Sequence, residues 1–170
     1  HNTCCEQAEP FFANDSRRIF QALCEKNVSV DLVYSAERLT DYKIVLFPHI
    51  AIAEEALREQ LEAFTRQGGI AILTCRSGTK DRNAHYRPAR SPGIFRELAG
   101  CSADWFTALA GRDAQSVELG GKRYPVALYY ETLETEGAET VAVYTQGFAE
   151  GKTAGEANNQ LNGPEAVVDV

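Results

Sequence analysis

The feature that most constrains this chain is the run Lys43-Ile44-Val45-Leu46-Phe47-Pro48, matched further along by Ile70-Ala71-Ile72-Leu73-Thr74. Apolar runs without polar alternates must be covered on both faces, which is the environment of central parallel strands. Between them, Glu54 and Glu55 place negative charge where a helix start favours it, and Leu57, Leu61 and Phe64 share one face. Gly68-Gly69 then supplies a left-handed stop. Strand, helix and strand joined in this way predict parallel pairing, and the class is α/β.

Around this unit the chain organises itself less strongly. Asn14, Asp15 and Ser16 are capping residue types ahead of Ile19, Phe20, Leu23 and Cys24, predicting a first helix from about Ser16 to Lys26. Val28 to Tyr34 is β-branched and aromatic with polar alternates, and predicts a strand buried mainly on one face. Arg76 to Pro92 holds Arg76, Lys80, Arg82, His85, Arg87 and Arg90 with few apolar anchors, and predicts a long loop. Gly93 to Gly100 reads as a short helix closed by glycine. Turn signals at Gly120-Gly121 and Glu136-Gly137 separate three runs, Ser116 to Leu119, Tyr124 to Leu133 and Thr140 to Tyr144, predicting mostly antiparallel strands in the second half. Small and polar residues dominate from Gly147 onward, so the expected division is a domain over residues 1–146 and a flexible tail over 147–170.

Composition narrows the partners. With 170 residues, 44% of them hydrophobic, the chain can bury one respectable core. A net charge of −7 repels nucleic-acid backbones and anionic membranes alike, so neither is an expected partner. No window approaches the roughly 20 apolar residues that cross a bilayer, and the start His1-Asn2-Thr3-Cys4-Cys5 has no basic-then-apolar leader pattern, which predicts a cytoplasmic protein. Cys4, Cys5, Cys24, Cys75 and Cys101 are odd in number and irregularly spaced, fitting reduced thiols. With no CxxC pair and with His1, His49 and His85 scattered, no metal or cofactor is expected.

Two places could carry chemistry or contact. Cys75 ends a buried strand and precedes Arg76-Ser77-Gly78, where a strand-to-turn elbow could expose a nucleophile. Such a nucleophile needs a histidine base and oxyanion donors, and neither His49 nor His85 is followed by the carboxylate that would orient it. The alternative for Cys75 is a small buried residue at a strand end. The basic loop it launches, with Arg76, Lys80, Asp81 and Arg82, begins at the carboxyl end of a parallel strand, where open α/β sheets place function. Its alternative is a solvated loop. Trp105 and Phe106 could cap a ligand or anchor that loop to the core.

Taken jointly, Lys43 to Pro48, the helix, Gly68-Gly69, the second strand, Arg76-Ser77-Gly78-Thr79-Lys80-Asp81 and Pro92-Gly93-Ile94-Phe95-Arg96-Glu97-Leu98-Ala99-Gly100 resemble one family. The resemblance is to the middle domain of glycoside hydrolase family 42 β-galactosidases, over roughly Phe12 to Tyr144. It implies a flavodoxin-like fold akin to class I glutamine amidotransferases but without their activity: a mostly parallel sheet flanked by helices, with antiparallel strands in the C-terminal half. It further implies a noncatalytic domain that joins subunits into a homotrimer and shapes the active site of the full-length enzyme. The catalytic glutamates of that family sit in a separate (β/α)₈ barrel, which needs about 250 residues of its own. No catalytic residue carries over, and galactoside substrate is met only through that barrel. The interface candidates are then Arg76, Lys80, Asp81, Arg82 and Trp105. The rivals are a divergent amidotransferase-like hydrolase using Cys75 and a sugar-binding module near Trp105. Two departures stand out: the family opens with an apolar strand that His1 to Pro10 lacks, and the stretch from Gly147 does not match the family's last strands.

Overall fold

The computed structural model describes residues 11–103, 106–108, 115–126, 129–145 and 153–154. The chain divides into two compact units, His1–Ser35 and Ala36–Val170. The first contains helix α1 (Phe11–Glu25), which starts five residues before the expected Ser16, so that Asn14 to Ser16 lie within the helix rather than capping it. The helix closes through Asn27 in the left-handed region (φ 56°), and the Val28 amide donates to the Leu23 carbonyl. Val28 to Tyr34 belongs to no strand, with Leu32 and Tyr34 exposed. Strand propensity describes fitness for a pleated, half-buried surface, and without a ladder it has nothing to act on.

In the second unit the expected core element is present. Strand β1 (Ile44–Phe47) pairs in parallel with β2 (Ile70–Leu73), with Ile44 opposite Ile70 and Phe47 opposite Leu73. Helix α2 (Glu55–Arg66) connects them, laced outside by Arg58 to Glu55 and Glu62 and by Arg66 to Glu62. It ends as predicted: Gly68 is left-handed (φ 89°), and the Gly69 amide donates to the Phe64 carbonyl at 3.1 Å. Leu61 and Phe64 face inward to a core with Leu39, Phe47, Ala53, Phe95 and Leu98. Each leucine or phenylalanine among them, fully buried, contributes about 1.5 to 3 kcal/mol.

The rest corrects the expectation of a mostly parallel sheet. The described parallel ladder has two strands, whereas seven strands form an antiparallel sheet ordered β3-β7-β9-β8-β5-β6, with β4 also pairing with β7. These are β3 (Cys101–Ser102), β4 (Phe106–Ala108), β5 (Gln115–Leu119), β6 (Lys122–Val126), β7 (Tyr129–Thr135), β8 (Ala142–Tyr144) and β9 (Thr153–Ala154). The predicted hairpin at Gly120-Gly121 forms, but the run from Tyr124 to Leu133 is divided between β6 and β7. Edge strand β6 carries Lys122, Arg123 and Pro125, residue types that discourage further pairing. Within 147–170, Thr153–Ala154 lies between β7 and β8, and the remainder of that stretch lies outside the described residues. The expected short helix is a 3-10 turn, Gly93–Phe95, running into α3 (Arg96–Ala99), closed by left-handed Gly100.

Candidate functional site

The segment predicted as a long loop contains no helix or strand, as expected, and is folded into an arm. Gly78 and Lys80 donate to the carbonyls of Ile50 and Ala51, and Ala53 donates back to Lys80, so the chain first extends the β1–β2 layer. It then folds on itself, with Asp81 donating to His85 and Arg87 to Thr79. The Asp81 carboxylate sits at the tip and accepts from the amides of Asn83 (2.9 Å) and His85 (3.0 Å), which lowers its pKa. Asp81 is thereby a turn former. The arm's root is narrow: Gly78 and Gly93 are both left-handed, and a Cβ at Gly93 would overlap the carbonyl oxygen of Gly78.

Side chains organise the arm's surface in one line. The Arg76 guanidinium stacks over the Phe106 ring (4.1 Å to centroid) and donates to the Tyr86 hydroxyl at 3.0 Å. The Lys80 ammonium lies 4.6 Å from the centroid of Tyr86. Arg82 reaches Glu54 through both its amide and its Nε. The result is a patch in which Tyr86 (61% exposed), Ile52 and Phe106 are apolar and solvent-facing, braced by cations. Arg76, predicted as a surface contact, is only 7% exposed and works from behind. Lys80 is half-buried, Arg82 is exposed, and Trp105 lies outside the described residues.

Cys75 lies past the end of β2, with Thr74 between them, at an elbow in which the next residue, Arg76, is left-handed (φ 68°). The thiol is buried, and His49 approaches the backbone instead: its Nδ1 lies 3.0 Å from the Cys75 carbonyl oxygen. The thiol's partner is Glu131, from β7. Glu131 is 4% exposed, and its Oε1 accepts from the Arg76 amide (3.1 Å) and the Ser91 hydroxyl (3.1 Å). Burial pushes its pKa up, against the pull of those donors. Tyr144 donates to the Glu131 carbonyl at 2.8 Å, and Phe106 is its direct cross-strand neighbour. The elbow that would aim a nucleophile outward is thus a buried junction between the two halves of the unit.

A second clamp lies at the other end of β7. Arg96 donates twice to Glu136 (2.7 and 2.6 Å), Ser102 donates once (2.6 Å), and Arg90 reaches Glu134 at 2.9 Å. The Arg96 hydrogen bond, then that of Ser102, brings the Glu136 pKa down to about 2. Burial raises that of Cys101 to about 12, so this thiol stays protonated and unreactive. Among the described residues no group of three or more His, Cys, Asp or Glu could hold a metal ion, and no helix is long and apolar enough to cross a membrane.

Neither Glu131 nor Tyr86 was singled out by sequence reasoning. For Glu131 a signal exists: in Tyr129-Tyr130-Glu131-Thr132-Leu133 it shares a face with Leu133, and an acid on an inward face demands donors.

Residues 11–167 match the model of the β-galactosidase trimerisation domain. The chain belongs to that family. A β-galactosidase of Alicyclobacillus acidocaldarius is 32% identical over 142 residues, covering 79% of this chain and 21% of that protein. One from Planococcus sp. (strain L4) is 29% identical over 146 residues, covering 82% and 22% respectively. The chain therefore spans about a fifth of the curated relatives it matches. The solved β-galactosidase of Bacillus circulans sp. alkalophilus superposes with a TM-score of 0.79 at 22% identity, over 87% of this chain and 25% of that one. That of Rahnella sp. R3 gives 0.74 at 23% identity, over 83% and 24%.

Proposed function

We propose that this chain is the noncatalytic assembly domain of a family 42 β-galactosidase, holding three subunits together and helping to shape the active site of the full-length enzyme. The observation that carries the reading is the trimerisation-domain match over residues 11–167. The parent is a glycosidase whose galactoside is bound and cleaved in a catalytic barrel elsewhere, by carboxylates that this domain does not supply. No cofactor is required, and a cytoplasmic setting agrees with Cys24, Cys75 and Cys101 being outside any disulfide. The parallel β1–α2–β2 unit supports a flavodoxin-like origin for that layer.

The contact surface on this reading is the arm, with Tyr86, Ile52 and Phe106 as apolar anchors, Lys80 and Arg82 as polar rim, and Arg76 and Asp81 as supports. A closed three-fold ring is heterologous, so this patch meets a different surface on its neighbour. An acidic neighbour suits it, and a chain of net charge −7 offers one. Light scattering on a longer protein that includes the barrel is expected to give a trimer at micromolar concentration, and Tyr86→Ala is expected to weaken assembly tenfold or more, the scale of a central aromatic anchor. A monomeric longer protein would end the assembly reading. An undiminished trimer in Tyr86→Ala would move the interface elsewhere.

A further inference from the structure

The buried junction beneath the arm contains an ionisable group to which assembly assigns no role. We propose that Glu131 is a proton-operated latch at the arm's root: neutral, it holds Cys75-Arg76 and Ser91 against β7, and ionised, it lets that junction open to water.

Several segments converge on this one side chain. The Arg76 amide comes from the end of the parallel layer, the Ser91 hydroxyl from the returning end of the arm, and the Tyr144 hydroxyl, on the Glu131 carbonyl, from β8. Both ends of the arm therefore meet the same carboxyl group on the antiparallel sheet, alongside the Ala103 amide on the Ser91 carbonyl, the Arg90–Glu134 pair and the Arg76 guanidinium over Phe106. Its neutral form satisfies the same donors, because the carbonyl oxygen of a carboxylic acid accepts from both the amide and the hydroxyl. The protonated oxygen can face the sulfur of Cys75 as a weak acceptor.

The direction follows from linkage. In the closed junction the carboxyl is 4% exposed, and removal from water disfavours its charged form more than the donors favour it. An open junction hydrates the group and lets it ionise as an ordinary glutamate does. The proton therefore binds the closed form more tightly, and rising pH shifts the population toward the open form. The titratable and charged groups facing Glu131 are Cys75 and Arg76 from the elbow, Cys101 from β3 and Tyr144 from β8, and Glu136, just past the end of β7, acts on the same Cys101. Arg76 opposes release by favouring the carboxylate in place. His49, against the Cys75 carbonyl, is the further titratable group beside the elbow.

Amide hydrogen exchange on the 170-residue chain, read at Arg76 by NMR and corrected for intrinsic base catalysis, tests the latch. The wild-type opening equilibrium is expected to rise with pH by up to about tenfold per unit, the slope of one linked proton. Glu131→Gln keeps the shape and the acceptor but cannot ionise, and is expected to give an opening equilibrium independent of pH. A flat wild-type profile overturns the proposal. So does an unchanged slope in Glu131→Gln, which would assign the titration to another group. Should Glu131→Gln fail to fold, the carboxyl carbon of Glu131 is titrated by NMR in the wild type. A midpoint above the ordinary glutamate range that tracks the opening supports the latch, and one at or below that range overturns it.

Discussion

The parallel layer and the antiparallel sheet of the second unit are held together by different means. Around α2, one contiguous cluster joins Leu39, Phe47, Ala53, Leu61, Phe64, Phe95 and Leu98. In the antiparallel sheet the buried apolar residues fall into two small groups, Tyr130, Ala142 and Tyr144 in one, Ala99, Cys101, Ala103 and Leu133 in the other. Between them, Glu131 and Glu136 collect donors from both halves. The layer that resembles a common α/β unit is stabilised by nondirectional burial. The sheet that distinguishes this domain depends on directional polar contacts, which specify geometry more than they add stability.

The largest expected effect tests that contrast. Leu61 is 0% exposed within the large cluster, so Leu61→Ala is expected to cost about 3 to 5 kcal/mol, the upper part of the range for a fully enclosed leucine. Leu133, in a small group beside alanines and a cysteine, can relax more, and Leu133→Ala is expected nearer 2 kcal/mol. Denaturant unfolding of both variants measures the difference, and equal losses would mean that the small groups act as one core with the large one. A smaller effect sharpens the polar side. Tyr144→Phe removes the bond to the Glu131 carbonyl while keeping the edge-to-face contact with Tyr130, and is expected to cost about 1 to 3 kcal/mol for the stranded carbonyl. Its loss is also expected to loosen Arg76 more than the β1–β2 ladder in hydrogen exchange, because the carboxyl on the same residue holds the Arg76 amide.

These two means of stabilisation were unequally legible in the sequence. The β1–α2–β2 unit could be read closely, since Ile44 to Phe47, the Leu57, Leu61 and Phe64 face and Gly68-Gly69 are local signals with fixed periods. Val28 to Tyr34 carries a strand signal of its own, β-branched and aromatic residues with polar alternates, and forms no strand, because pairing needs a partner that composition does not name. β3, β4 and β9 are too short to show a period, and each exists through pairing with β7 or β8. The arm is the loop that its composition announces, but its folding was not legible, because it comes from Asp81 capping two amides and from two glycines crossing at its root. Cys75 was recognised as an elbow, but the acid that buries it is 56 residues away, and nothing local points from one to the other.

The smallest expected effect separates the two acids by the sign of their pH dependence. Glu136 has a folded-state pKa near 2, against 4.5 for an unperturbed glutamate, because Arg96 and Ser102 donate to its charged form. Its contribution to stability is therefore present above about pH 4.5 and is lost as pH falls toward 2. Glu131 runs the other way: its pKa is raised, so the unfolded chain gives up that proton first and stability declines as pH rises through the window above 4.5. Glu136→Gln is expected to flatten the acid limb of a stability profile and leave the neutral limb unchanged. Glu131→Gln is expected to do the reverse. The Glu136 effect is modest because its clamp is solvent-exposed, where water and salt screen the ion pair. Raising the salt concentration should shrink the acid limb and spare the neutral one, since a carboxyl buried beneath the arm is shielded from ions in solution. Equal salt sensitivity on both limbs would show that Glu131 titrates in contact with solvent, and would erase the distinction between an exposed clamp and a buried junction.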